Sequence, residues 1–317
     1  MSVKVIFFGT PELALPTLQA LLNNNYHISL IVTSPDKPAG RGRKLTPPPV
    51  KEFALTKKIP VIQPNKLTND VIKQIKDYQA DVGVVVAYGK IIPLQLIQSF
   101  PYGIINIHPS LLPRWRGASP IQSALLSGDK ITGVSIMLLD EKLDHGPILT
   151  QRQTFISDND YASTLTVKLF NLGAELLINI LPLYLEGKIT PKPQDERLAT
   201  FCQKISKGDA EIDWHDSAEN IMNKIRAYDI WPGAWTRYSK DSPFYQKNQH
   251  ENIIKIYRAK IVNASPLTPG YFQLNRDDKT LLIGTGTSPL SIKELQLPNK
   301  KRMTVVELIN GIQNIKQ

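Results

Sequence analysis

"VKVIFFGTPELALPTLQALL", residues 3–22, sets how the rest of the chain is read. Val3 to Phe8 is a nearly unbroken apolar run, the texture of a strand buried on both faces of a parallel sheet. Gly9, Thr10 and Pro11 make a turn, and the leucines and alanines that follow recur at helical spacing. Thr10 is read as the N-cap of that helix and Pro11 as its first residue. A strand turning directly into a helix is one βα unit, and the chain repeats it. Strands are predicted at 28–33, 81–89, 103–108 and 133–139, with helices near 68–78 and 119–127 and a long amphipathic helix over 161–185. Strands alternating with helices require crossover connections. The fold class is therefore α/β, an open and mostly parallel Rossmann-like sheet with helices on both faces.

At 317 residues the chain exceeds the usual size of one core, and its texture changes near a polar, Pro-containing stretch. We place a first domain at 1–189, a linker at 190–208 and a second domain at 209–317. In the last of these, "SAENIMNKIRAY" (217–228) reads as a helix. Several short strands at close spacing follow, which suggests a small OB-like β-barrel.

Composition excludes several classes. The single cysteine, Cys202, permits no internal disulfide and no thiolate metal cage, in keeping with a reducing, cytoplasmic setting. His27, His108, His145, His215 and His250 lack ligand spacing, so no catalytic metal is expected. No apolar stretch approaches the ~20 residues of a membrane span, and no membrane association is expected. The first turn reads "GTPELA" rather than G-x-G-x-x-G, which disfavours a dinucleotide site. The net charge of +10 points to an anionic partner, nucleic acid foremost, with a solvated basic surface as the plain alternative.

Ligands of such sheets sit outside the carboxyl ends of the strands. "GIINIH" (103–108) ends there, and Asn106 and His108, two apart, face the same side. An amide and an imidazole on one spot are suitable donors to a developing oxyanion. A strand-end histidine or asparagine serves equally well as a structural hydrogen-bonding group. The next loop, "PSLLPRWRG" (109–117), is stiffened by Pro109 and Pro113 and could present its backbone to a planar heterocycle. Downstream, "LLDEKLDHGPIL" (138–149) brings Asp140 and Asp144 to the end of another strand. Asp144 could reach His108 and fix its tautomer, and both aspartates fit as turn or capping residues too.

"NIHPSLLPRWRGASPIQ" followed by "GVSIMLLDEKLDHGPIL" resembles the signature of the folate-dependent formyltransferases. "FFGTPELA", "PDKPAGRGRKLTPPPVK", "IRAYDIWPGAW" and "KKRMTVVELING" extend the resemblance along the whole chain, toward the branch of that family acting on methionyl-tRNA. Pro109 stands where a glycine is also common. The resemblance implies transfer of formyl from 10-formyltetrahydrofolate to the α-amine of initiator methionyl-tRNA, without a covalent enzyme intermediate. It implies that Asn106 and His108 stabilise the oxyanion and that Asp144 orients His108. Val86, Ala87 and Tyr88, with Ser110, Leu111, Leu112 and Pro113, would line the folate pocket. Such an enzyme is expected to be a monomer. The same apparatus would serve an amino-sugar nucleotide or purine ribotide acceptor, or a 10-formyltetrahydrofolate hydrolase. A tRNA-binding module with an inactive folate site is the alternative from another class.

The segment 34–58 carries seven Lys and Arg against two acidic residues, half of the net charge. Gly40 and Gly42 bracket Arg41 in a basic tip suited to phosphate backbones. A solvated loop explains the charge alone equally well. The resemblance assigns Arg41, Arg43 and Lys44 to the tRNA acceptor stem.

Overall fold

The computed structural model describes residues 3–40, 42–238, 244 and 252–313. The chain divides into two compact units. The first comprises Met1–Pro120, Ile131–Phe155 and Thr166–Gln203; the second comprises Ile121–Lys130, Ile156–Leu165 and Lys204–Gln317.

The first unit is built on β1 (Lys4–Gly9), β2 (His27–Val32), β5 (Val61–Ile62), β6 (Val82–Val86), β7 (Ile104–His108), β9 (Ile131–Leu138) and β10 (Ile148–Phe155). Their order in the sheet is β10-β9-β7-β6-β1-β2-β5. The five strands from β5 to β7 run parallel, while β9 and β10 run antiparallel. Strand order reverses on either side of β1, since β2 and β6 flank it, and that reversal opens a crevice at the carboxyl ends. The predicted α/β class and parallel-dominated sheet are therefore observed. Val5 to Phe8 have no exposed surface, as their unbroken apolar run requires.

Two separate two-stranded sheets lie outside this sheet. β3 (Lys37–Ala39) and β4 (Lys44–Thr46) form a small hairpin within the basic segment, and β8 (Arg116–Gly117) pairs in parallel with β11 (Phe201–Cys202). Helices α1 (Leu15–Asn23), α2 (Pro49–Thr56), α3 (Asn69–Lys76), α4 (Leu94–Ile97) and α5 (Pro120–Leu126) follow the strands. The first helix starts differently from expectation. A 3₁₀ turn, Glu12–Ala14, precedes α1, and no side chain caps either start. Pro16 sits in the first turn of α1, where its missing N–H is not needed. Thr10 instead shares a hydrogen bond with the Ser34 hydroxyl, 3.1 Å, and donates to the Tyr88 carbonyl, 3.4 Å.

The long helix α6 (Ala162–Leu185) has the length and apolarity of a membrane span. From Thr166 on it belongs to the first unit, where it packs on the sheet: a Cβ on Gly173 would lie 2.5 Å from Ile107 Cγ2. Glycine lets the helix approach β7 that closely.

In the second unit, Ser217 caps α7 (Ala218–Ala227) by accepting from the Asn220 N–H, 3.2 Å. Its sheet comprises β12 (Ala234–Arg237), β13 (Ile253–Ile261), β14 (Phe272–Asn275), β15 (Thr280–Ile283), β16 (Leu290–Gln296) and β17 (Met303–Thr304). The order is β12-β13-β16-β15-β14, with β17 on β16, and every pairing is antiparallel. Among the described residues no pairing between β12 and β14 closes it into a barrel. The helix α8 (Val305–Gln313) begins with a reciprocal cap. The Glu307 carboxylate accepts from the Thr304 N–H, 2.7 Å, and the Thr304 hydroxyl accepts from the Glu307 N–H, 3.2 Å.

Candidate active site

A cavity of about 440 Å³ opens at the carboxyl ends of β6 and β7. Ala87, Tyr88, Asn106, His108, Gly117 and Asp144 are among its lining residues. Asn106 and His108 share it because the pleat turns residues i and i+2 to one face. The Asn106 amide is half-buried and bonds to no described protein group. His108 is buried, with 4% of its surface exposed. Its Nε2 donates to the Trp115 carbonyl, 3.0 Å, because a carbonyl can only accept. Its Nδ1 faces Asp144 Oδ1 at 3.6 Å. Both ring nitrogens thus look at acceptors. A neutral ring can satisfy one of them; an imidazolium serves both.

Asp144 is itself held. Its Oδ2 accepts from the Gly117 N–H, 2.9 Å, and its backbone takes the left-handed region, φ 49°. Gly117 is at φ 121°, and a Cβ there would fall 2.2 Å from the Cys202 carbonyl oxygen, so no other residue fits.

Burial pushes the Tyr88 pKa up to about 12 and keeps it protonated, and among the described residues its hydroxyl has no hydrogen-bond partner. Lys90, also at the cavity, donates to the Pro64 carbonyl; burial, then the charge of Lys37, lowers its pKa.

Five of the seven residues predicted to line a folate pocket, Val86 and Ser110 to Pro113, are not among the lining residues of this cavity. Ser110 has no exposed surface and its hydroxyl donates to the Arg114 carbonyl, 2.6 Å. The Ser135 hydroxyl donates to the Ser110 carbonyl, 2.6 Å, and accepts from the Leu112 N–H, 3.0 Å. Gln151 donates to the Leu112 carbonyl, 2.8 Å. The Ser110–Pro113 loop therefore spends its polar groups on β9 and β10, and neither these four residues nor Val86, fully buried in β6, is among the cavity's lining residues. Ala87 and Tyr88 are.

Of the basic tip, Arg41 lies outside the described residues. Arg43, at φ 48°, and Lys44 are both exposed on the β3–β4 hairpin. Asp36 anchors this segment: Lys51 Nζ reaches both its oxygens at 2.8 Å and Gln63 donates to Oδ1, 2.7 Å.

Sequence reasoning missed Arg116, Gln194 and Glu196. Arg116, 2% exposed, gives parallel bonds to Glu196 of 3.0 and 2.7 Å, and its Nε donates to Gln194 Oε1, 2.9 Å. The Arg116 hydrogen bonds hold the Glu196 carboxyl below its usual range. No spacing signal links residues about 80 positions apart. Among the described residues no group of three His, Cys, Asp or Glu side chains could hold a metal. A larger cavity, about 860 Å³, lies within the second unit beside Lys130, Arg258, Lys260 and Lys293, with no comparable amide–imidazole–carboxylate set.

An α/β sheet presenting an amide, an imidazole and a carboxylate in a cavity at the carboxyl ends of two parallel strands, with no serine or cysteine among the cavity's lining residues, is the arrangement of a formyltransferase-type catalytic domain. The comparisons agree. Residues 1–181 match the formyl transferase family model and 204–313 the model of the formyl transferase C-terminal domain. The chain is 42% identical over 312 residues to a methionyl-tRNA formyltransferase of Thermodesulfovibrio yellowstonii, covering 98% of this chain and 96% of that one. It is 41% identical over 313 residues to one of Coxiella burnetii, covering 98% and 96%. It belongs to the methionyl-tRNA formyltransferase family. Among solved structures, an N-formyltransferase from Helicobacter canadensis, in complex with folinic acid and dTDP-3-aminofucose, shares the fold. Its TM-score is 0.67 at 18% identity, over 92% of this chain and 99% of that one. HypX from Aquifex aeolicus in complex with tetrahydrofolic acid gives 0.67 at 15% identity, over 98% of this chain and 48% of that one.

Proposed function

We propose that this chain transfers the formyl group of 10-formyltetrahydrofolate to the α-amine of initiator methionyl-tRNA in the cytoplasm. The observation that carries the mechanism is the unbonded Asn106 amide beside the His108–Asp144 pair in the β6–β7 cavity. The amine nitrogen bonds the formyl carbon, and the carbonyl oxygen becomes an oxyanion. Asn106 donates to that oxygen, and His108 exchanges the Trp115 carbonyl for it as a second donor. Asp144, facing Nδ1, holds the ring in that orientation. The C–N10 bond then breaks, and the proton lost by the amine passes through His108 to N10 of tetrahydrofolate. The family membership, covering nearly the whole length of both chains, supports the choice of acceptor.

The pterin would lie against Ala87 and Tyr88, with Val86 and the Ser110–Pro113 loop supporting the pocket from behind its lining. Residues 1–189 carry the chemistry, and 190–208 connects them to 209–317. We read the antiparallel sheet of the latter as part of a small OB-like barrel touching the tRNA stem. Arg41, Arg43 and Lys44 engage the acceptor end, and the working form is a monomer.

A transfer assay with labelled 10-formyltetrahydrofolate tests this, offering methionyl-tRNA, an amino-sugar nucleotide or no acceptor. Label should enter formylmethionyl-tRNA and fall sharply in Arg41→Ala. Transfer to the sugar would overturn the acceptor, and formate without any acceptor would make the protein a hydrolase.

A further inference from the structure

We propose that residues 194–202 are a positioning strap for the catalytic pair, with Gln194 its central clamp. The inference rests on the reading of His108 and Asp144 given above. Gln194 Nε2 donates to the backbone carbonyls of Asp144, 2.9 Å, and Gly146, 2.8 Å. Its Oε1 accepts from Arg116 Nε, 2.9 Å, and Arg116 is locked in turn by Glu196. Both hydrogens and the oxygen of one amide are thus committed to the Asp144 turn and to the 115–117 loop.

The strap continues along the same loop. The Trp115 N–H donates to the Thr200 hydroxyl, 2.9 Å, and the Arg116 N–H to the Thr200 carbonyl, 2.9 Å. Phe201 and Cys202 then pair with Arg116 and Gly117. This loop supplies the Trp115 carbonyl to His108 and the Gly117 N–H to Asp144. The strap therefore fixes both groups that orient the imidazole and the carboxylate. It falls between the two matched family models, which end at 181 and resume at 204.

Displacing a reacting group by about 1 Å costs on the order of 10²-fold in rate. Gln194→Ala, and the isosteric Gln194→Glu that removes both donors, should lower kcat about tenfold to a hundredfold. KM for 10-formyltetrahydrofolate and for methionyl-tRNA should stay unchanged. Rates are expressed per tetrahydrofolate bound, which removes any unfolded fraction. Glu186→Ala is the control: Glu186 pairs with the exposed Lys188 just beyond α6, outside the strap and outside the cavity's lining, so kcat should hold.

A double-mutant cycle separates positioning from general support. In an Asp144→Asn background, Gln194→Ala should cost several-fold less than in the native one, because the part of its effect that runs through the carboxylate is already lost. An equal loss in both backgrounds, or no loss in the native one, overturns the strap. Unchanged turnover in Asp144→Asn alone would overturn the reading of the catalytic pair instead.

Discussion

Asn106 and His108 stand two residues apart at the end of β7, so strand geometry alone turns both into the same cavity. That much is legible from "NIH". The amide hydrogen-bonds to no described protein group, so Asn106→Ala removes no such bond and should shift the urea midpoint little. It should lower single-turnover formyl transfer on the order of 10²–10³-fold, the loss typical of one oxyanion donor. Near-normal turnover would take Asn106 out of the site. Asp144 is legible from the sequence as a partner of His108, but the second partner of His108 is not. The Trp115 carbonyl is a backbone group, which no residue pattern marks, and Gln194 meets Asp144 from 50 positions away.

At the scale of elements, β9 and β10 pin the loop that follows β7. Ser135 on β9 has no exposed surface and bonds Ser110, Leu112 and Gln151. Ser135→Ala strands a buried N–H and two other polar groups. Urea unfolding should show a loss of about 1–3 kcal/mol. The sequence suggested a loop facing the ligand because its prolines stiffen it; its inward bonds come from strands 25 and 39 residues downstream. The basic hairpin is likewise an element held from its base. Hydrogen bonds from Lys51 first, and then from Gln63, lower the Asp36 pKa. A depressed folded value means stabilisation present above the unfolded value of about 3.9, lost as pH falls through the folded one. Limited proteolysis within 34–58 should be constant near neutrality and increase below about pH 4, and the Asp36→Asn variant should lose that acid response.

For the whole molecule, the net charge of +10 and the tRNA substrate class make binding an electrostatic matter. If about six phosphates are neutralised, affinity for methionyl-tRNA should fall on the order of 10³-fold between about 50 and 200 mM salt. Fluorescence titrations across that range would measure it, and a flat response would remove the basic surface from recognition. Affinity for tetrahydrofolate should change little, since the cavity proposed for it is lined mainly by apolar and neutral groups.

Composition, the alternation of strands with helices and the motif around His108 follow from the sequence alone. Each depends on spacings of a few residues, which backbone geometry translates directly into faces and turns. The antiparallel run of β9 and β10, the inward turn of Ser110–Pro113 and the strap from Gln194 to Cys202 came only with the tertiary structure. Their partners lie 11 to 87 residues apart in the chain. Such groups meet because a shared core fixes the path between them, and no local spacing records that path.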